Sequence, residues 1–211
     1  MNSATDYFSL AGVAGNLECA RDLPAEDSFP TPRGIALVGH PHPLFGGTMD
    51  NKIVVTLART FQGLGYAVFR MNFRGVGASE GVHDEGRGEA DDMLMLLEHA
   101  REQYPGLPFV LSGFSFGTYI QTQIAQRLSE QQTPAERLVL IGSAPGKWNL
   151  PDVPADTIVI HGEEDETIPL SNVMDWARPQ DLPVIVIPGA DHFFHRRLHH
   201  IKNIVTSLWQ R

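Results

Sequence analysis

The sequence predicts an α/β fold: a mostly parallel sheet of eight strands with helices on both faces. Three observations predict it. Short, continuously apolar runs alternate with helical patterns, which is how strands buried on both faces and joined by helical crossovers read. The pentapeptide Gly113-Phe114-Ser115-Phe116-Gly117 sits where one such run passes into a helical stretch. The length of 211 residues, 42% of them hydrophobic, suits one domain spanning residues 1–211 with a sizeable core.

The elements follow in order. Phe8 to Leu10 and Leu17 to Ala20 flank Gly12-Val13-Ala14-Gly15-Asn16 and read as a hairpin. A proline-rich link runs from Leu23 to Pro32. Gly34 to Gly39 is a buried strand. Lys52 to Phe61 is a helix that ends near Gly63 and Gly65, and Tyr66 to Phe73 is a strand. Glu85 to Tyr104 is a helix with apolar Met93, Leu94, Leu96 and Leu97. Phe109 to Ser112 is the strand before Ser115, and Thr118 to Leu128 the helix after it. Arg137 to Ser143, Thr157 to His161 and Val184 to Pro188 are further strands, and Phe194 to Gln210 closes the chain as a helix. Ala144 to Asp156 spans only 13 residues between two strands, too short for a helical lid domain. An open site follows, which argues against long lipid substrates that need a large apolar channel.

Composition removes several function classes. The formal net charge of -9 repels phosphate backbones, so no nucleic-acid partner is expected. The basic cluster of Arg196, Arg197, Lys202 and Arg211 reads as the solvated face of a terminal helix. No apolar run approaches the roughly 18 residues of a membrane span. Met1 to Leu10 carries Asp6 and no basic residue, unlike a secretory leader. Cys19 is the single cysteine, which leaves no intrachain disulfide and no thiolate metal cluster. These features together lead to an expected cytoplasmic setting, with no membrane partner.

The pentapeptide carries the chemistry. A strand turning sharply into a helix holds the central residue in a strained conformation, so the residues two positions away must be small. The Ser115 hydroxyl then stands exposed at the end of the sheet, beside the positive end of a helix. Serine needs a base within hydrogen-bond reach. His192, in the loop after the last strand, is best placed, because His195, His199 and His200 fall inside the expected terminal helix. An acid must orient that imidazole. Among Glu163, Glu164, Asp165, Glu166 and Asp191, the expected residue is Asp165, four residues beyond strand residue His161; Asp191 adjoins His192, and neighbouring side chains point apart.

An oxyanion needs two backbone N–H donors. Phe116 supplies one. The other comes from the loop His40-Pro41-His42-Pro43-Leu44-Phe45-Gly46-Gly47, in which the prolines have no N–H. Leu44 is favoured over His42, whose side chain is a candidate either for the pocket or for a structural bond to the loop backbone. Arg74 at a strand end has two readings: a pocket cation for a substrate carboxylate, or a loop-pinning ion pair with Glu80, Asp84 or Asp91. Phe45, Phe114, Phe116, Trp148 and Phe193 are candidates for an apolar acyl pocket, or for core.

Four blocks carry a family resemblance: His40 to Gly47, Asn72 to Gly81, Gly113 to Gly117, and His161 to Pro169. The chain resembles small lidless α/β-hydrolases of the dienelactone-hydrolase kind over nearly its whole length. The order Ser115, Asp165, His192 is the order of that fold. The Pro-Leu-Phe-Gly stretch resembles the dienelactone hydrolase oxyanion loop, which supports Leu44. Serine replaces that enzyme's cysteine, which puts lactone specificity in doubt but not acyl transfer. The resemblance implies a serine hydrolase of small esters or thioesters that needs no metal or organic cofactor. The same triad serves an acyltransferase or a small-peptide hydrolase. A non-catalytic interaction module with a vestigial triad is the rival from another class, and a metal held by His195 and His199 is a further one. Monomer and homodimer remain open.

Overall fold

The computed structural model describes residues 5–209. Among these, eight strands form one sheet: β1 (Asp6–Gly12), β2 (Gly15–Asp22), β3 (Gly34–Gly39), β4 (Tyr66–Met71), β5 (Phe109–Phe114), β6 (Arg137–Ile141), β7 (Ile158–Gly162) and β8 (Val184–Ile187). Five α-helices cover it: α1 (Lys52–Gly63), α2 (Arg87–Gln103), α3 (Phe116–Glu130), α4 (Leu170–Ala177) and α5 (Leu198–Trp209). The strand order is β1-β2-β4-β3-β5-β6-β7-β8. β1 pairs antiparallel with β2, and β2 antiparallel with β4; the remaining pairs are parallel.

Alternation within the strands builds the layers. Ile35 and Leu37 of β3 point to the face covered by α2 and α3, where Met93, Leu96, Leu97, Ile120 and Ile124 complete a core. Ala36 and Val38 point to the opposite face, against Ile53, Leu57 and Phe61 of α1 and Ile201 and Val205 of α5. A smaller cluster packs Val173 and Ala177 of α4 on Val159. Both faces are covered, so β3, β4 and β5 are buried at every position.

The chain leaves β3 to one side for β4 and returns to the other for β5. This switch in strand order opens a crevice at the C-terminal ends of β3 and β5, where ligands bind in open α/β sheets. Gly39 and Gly113 are register partners at that edge, so the loop after β3 and the turn after β5 begin side by side.

Three expectations need correction. The helix α4 was not foreseen. The last helix begins at Leu198 rather than Phe194, because Phe194 and Arg196 adopt φ of 50° and 61°, outside helical conformation; its expected end, Gln210, lies outside the described residues. His195 therefore stands in the preceding turn, so the single helix face that a His195–His199 metal pair requires does not form.

Candidate active site

Ser115 occupies the turn between β5 and α3 with φ 55° and ψ −119°, a sparsely populated conformation for a residue with a Cβ. Its own N–H is bonded to the Ile141 carbonyl at 3.0 Å, which fixes the turn to β6. The flanking glycines are steric necessities. A Cβ on Gly113 would lie 2.5 Å from the Gly117 carbonyl carbon, and one on Gly117 would run into the Gly39 carbonyl. The helix thus approaches β3 and β5 as closely as backbone permits.

The loops after β7 and β8 bring two further side chains to Ser115. Glu163 N–H bonds to Ile187 O at 3.1 Å and Glu164 N–H to Ala190 O at 2.9 Å, so the two loops are tied backbone to backbone. Asp165 Oδ1 accepts N–H bonds from Thr167 at 2.9 Å and Ile168 at 2.7 Å. Its Oδ2 lies 2.6 Å from His192 Nδ1. His192 Nε2 lies 3.0 Å from Ser115 Oγ. The acid is 4% exposed, the histidine 5% and the serine 6%. A line of hydrogen bonds from carboxylate to hydroxyl therefore runs through a nearly dry environment, open at the serine end. Phe114 packs on the His192 ring at 4.9 Å between centroids and limits its rotation.

Two buried histidines hold the surrounding loops. His161 Nε2 bonds to the Ile168 carbonyl at 2.9 Å and stands 3.5 Å from Asp165 Oδ2. Burial lowers its pKa, keeping it neutral, so its N–H donates to that carbonyl. His40 accepts the Phe73 N–H at Nε2 and donates from Nδ1 to the Pro41 carbonyl, which ties the loop after β3 to the end of β4. Burial pushes the His40 pKa down to about 3. Neither was foreseen; a histidine ending an apolar strand was the available signal.

A cavity of about 530 Å³ opens over Ser115 and His192, lined also by Pro41, His42, Phe45, Asn51, Lys147, Trp148, Thr167 and Phe193. Three of the expected pocket aromatics line it. Phe114 and Phe116 are fully buried, the latter behind His42 and Trp148 at 4.9 and 5.2 Å.

The loop after β3 corrects one expectation. Leu44 is 71% exposed, off the cavity, and its N–H is taken by His42 Nδ1 at 3.2 Å. His42 lines the cavity, and its backbone N–H meets no acceptor among the described residues, as is true of Phe116. Burial and the neighbouring His83 both lower the His42 pKa, so its side chain is a neutral acceptor for Leu44. Arg74 does not line the cavity. It makes a bidentate pair with Asp92, which is 0% exposed, at 2.7 and 2.8 Å. The loop-anchoring reading holds, but the partner is Asp92, on the inward face of α2, not Glu80, Asp84 or the exposed Asp91. Asp191, the lower-ranked acid, pairs instead with His195.

Among the described residues no group of three or more His, Cys, Asp or Glu side chains is arranged to hold a metal ion, and no helix is long and apolar enough to cross a membrane.

Sheet order, covered faces and a serine turn at the switch point define a lidless α/β hydrolase. The chain belongs to the family described as serine aminopeptidase, S33, whose profile matches residues 45–154. A solved α/β serine hydrolase without lid from Xanthomonas campestris is 35% identical, covering 100% of this chain and 96% of that one, with a TM-score of 0.91. The uncharacterized protein RP471 of Rickettsia prowazekii is 32% identical over 82% of this chain and 77% of its own length. The lysophosphatidylserine lipase ABHD12 of Danio rerio is 32% identical over 54% of this chain, but this match spans only 29% of the lipase.

Proposed function

We propose that this serine hydrolase cleaves small carboxylic esters or thioesters through an acyl-enzyme on Ser115. The observation that carries the reading is the hydrogen-bonded line from Asp165 through His192 to Ser115, at 2.6 and 3.0 Å. His192 takes the hydroxyl proton as the Ser115 oxygen attacks the carbonyl. Asp165, already holding two backbone N–H groups on its other oxygen, keeps the Nδ1 proton on the imidazole and stabilises the imidazolium. The free N–H groups of Phe116 and His42 receive the oxyanion. The protonated His192 then donates to the leaving alcohol or thiol, and later activates the water that releases the acid.

The cavity is open and without a lid, which favours small substrates over long lipids. An aminopeptidase must hold the free amine of its substrate, and no Asp or Glu lines this cavity; that favours esters over peptides. Acyl transfer to a small acceptor remains the second reading of the same triad. A cytoplasmic setting accompanies the proposal.

The test is hydrolysis of para-nitrophenyl esters from acetate to octanoate. Activity is expected to be highest for short acyl chains and to vanish in Ser115→Ala and His192→Ala. Hydrolysis that persists in Ser115→Ala would remove the proposal.

A further inference from the structure

The cavity over Ser115 carries one lysine, Lys147, alongside histidines and apolar and aromatic groups. It is one of three lysines in an acidic chain. Lys147 forms no ion pair with any described carboxylate, whereas Arg70 is paired with Asp22 and Asp50, Arg74 with Asp92, and Asp191 with His195.

The backbone holds this lysine at the rim. Gly146 adopts φ +85°, and a side chain there would strike Asn172, whose amide reaches the Pro145 carbonyl at 3.5 Å. Trp148 N–H closes the turn on Ala144 O at 3.2 Å. The Trp148 ring then stacks on Tyr119 at 5.9 Å and packs against His42 at 5.5 Å. Lys147 is an exposed residue on this pinned turn after β6 and lines the cavity. Its charge is close enough to help lower the pKa of His42.

We infer that Lys147 selects substrates bearing a carboxylate near the scissile carbonyl. This deepens the ester-hydrolase reading and rests on it. Lys147 is solvent-exposed, so its unpaired ammonium at the edge of the open cavity attracts an anion by a water-screened Coulomb energy and by hydrogen bonds from its three N–H donors. It does so against the field of a chain of net charge -9, which otherwise repels such substrates. Lys147 acts on binding and orientation and takes no proton in the reaction.

The test compares matched ester pairs by kcat/KM: para-acetoxybenzoate against para-acetoxybenzamide, for a charge on the leaving side, and mono-para-nitrophenyl adipate against para-nitrophenyl heptanoate, for a charge on the acyl side. The wild type is expected to favour the anion in at least one pair. Lys147→Gln should lower that pair's anionic-to-neutral ratio by roughly 2- to 5-fold, chiefly through KM, and Lys147→Glu should lower it further. The wild-type ratio should fall as added salt shortens the screening length from about 30 to about 3 Å. Ratios unmoved by Lys147→Gln in both pairs, or a fall shared equally by anionic and neutral esters, would overturn the inference and leave the ester-hydrolase reading standing. Failure of wild type to cleave any of the four esters, or to react with a fluorophosphonate, would remove both.

Discussion

His40 Nε2 accepts the backbone N–H of Phe73 at 2.9 Å, and the two rings pack 4.2 Å apart. An atom that accepts a backbone N–H cannot carry a proton, so the fold requires the neutral imidazole. With a folded pKa near 3 and an unfolded value near 6.5, the unfolded chain binds the proton first. The His40 contribution is therefore complete above about pH 6.5 and is lost as pH falls from there toward 3. Its slope approaches about 1.4 kcal/mol per pH unit within that window. His42 and His161, also lowered, act in the same direction. Urea unfolding at pH 7, 6, 5 and 4 should show this fall, and His40→Gln should flatten it by about 1 kcal/mol per unit. An unchanged slope in the variant would refute the assignment.

The strained backbone of Ser115, at φ 55°, predicts a trade of stability against activity. Ser115→Gly, which adopts this conformation without a Cβ penalty, should unfold about 1 kcal/mol later than Ser115→Ala, with neither turning over substrate. Equal stability of the two variants in chemical denaturation would show that the turn stores no strain.

Gly117→Ala should be among the most damaging single-methyl additions in the chain, because the added carbon meets the backbone of Gly39 rather than a movable side chain. A loss of about 3 kcal/mol is expected, read as a lower urea midpoint. Gly63→Ala, where no atom lies within 4 Å of the new Cβ, should cost nothing and gain some helix propensity.

Breaking the Arg74–Asp92 pair should destabilise the fold without dismantling the site. Arg74→Ala leaves a carboxylate of 0% exposure without its partner and should cost about 3–5 kcal/mol. Arg74→Lys should recover little of this, since lysine cannot reproduce the bidentate geometry. If Arg74 instead bound substrate, Arg74→Ala would raise KM at unchanged stability.

Asp165→Asn should leave the fold intact and lower kcat by about 1,000- to 10,000-fold, because an amide donor facing Nδ1 favours the wrong imidazole tautomer. Retained activity would mean that another acid, Asp191 for instance, orients His192.

Much of this molecule was readable from residue order. Continuous apolar runs such as Gly34 to Gly39 report burial on both faces, and the Gly-x-Ser-x-Gly spacing reports a turn that only glycine neighbours permit. Those signals are local, and the structure places β3, β5 and the Ser115 turn accordingly. Arg74 depends on a partner distant in sequence, Asp92 on α2. The His42 Nδ1 bond to the Leu44 N–H is a local cap two residues apart, and a His42 side chain bonded to its own loop is one of the readings the residue order leaves open; nothing local says that Asp92 rather than Asp91 faces inward from α2. The early start expected for α5 failed for a related reason: the left-handed backbone at Phe194 and Arg196 comes from the turn that aims His192, not from their own propensities. Lys147 reads as an ordinary loop lysine until the turn at Gly146 is seen to carry it over the cavity.

The central claim is that Ser115 is an activated nucleophile. Treatment with a fluorophosphonate, followed by intact-mass measurement of wild type and Ser115→Ala, tests it most directly. One adduct per wild-type chain and none on the variant is the predicted result. Well-folded wild type that stays unmodified would contradict the account and mark the triad as vestigial, with an interaction role in its place.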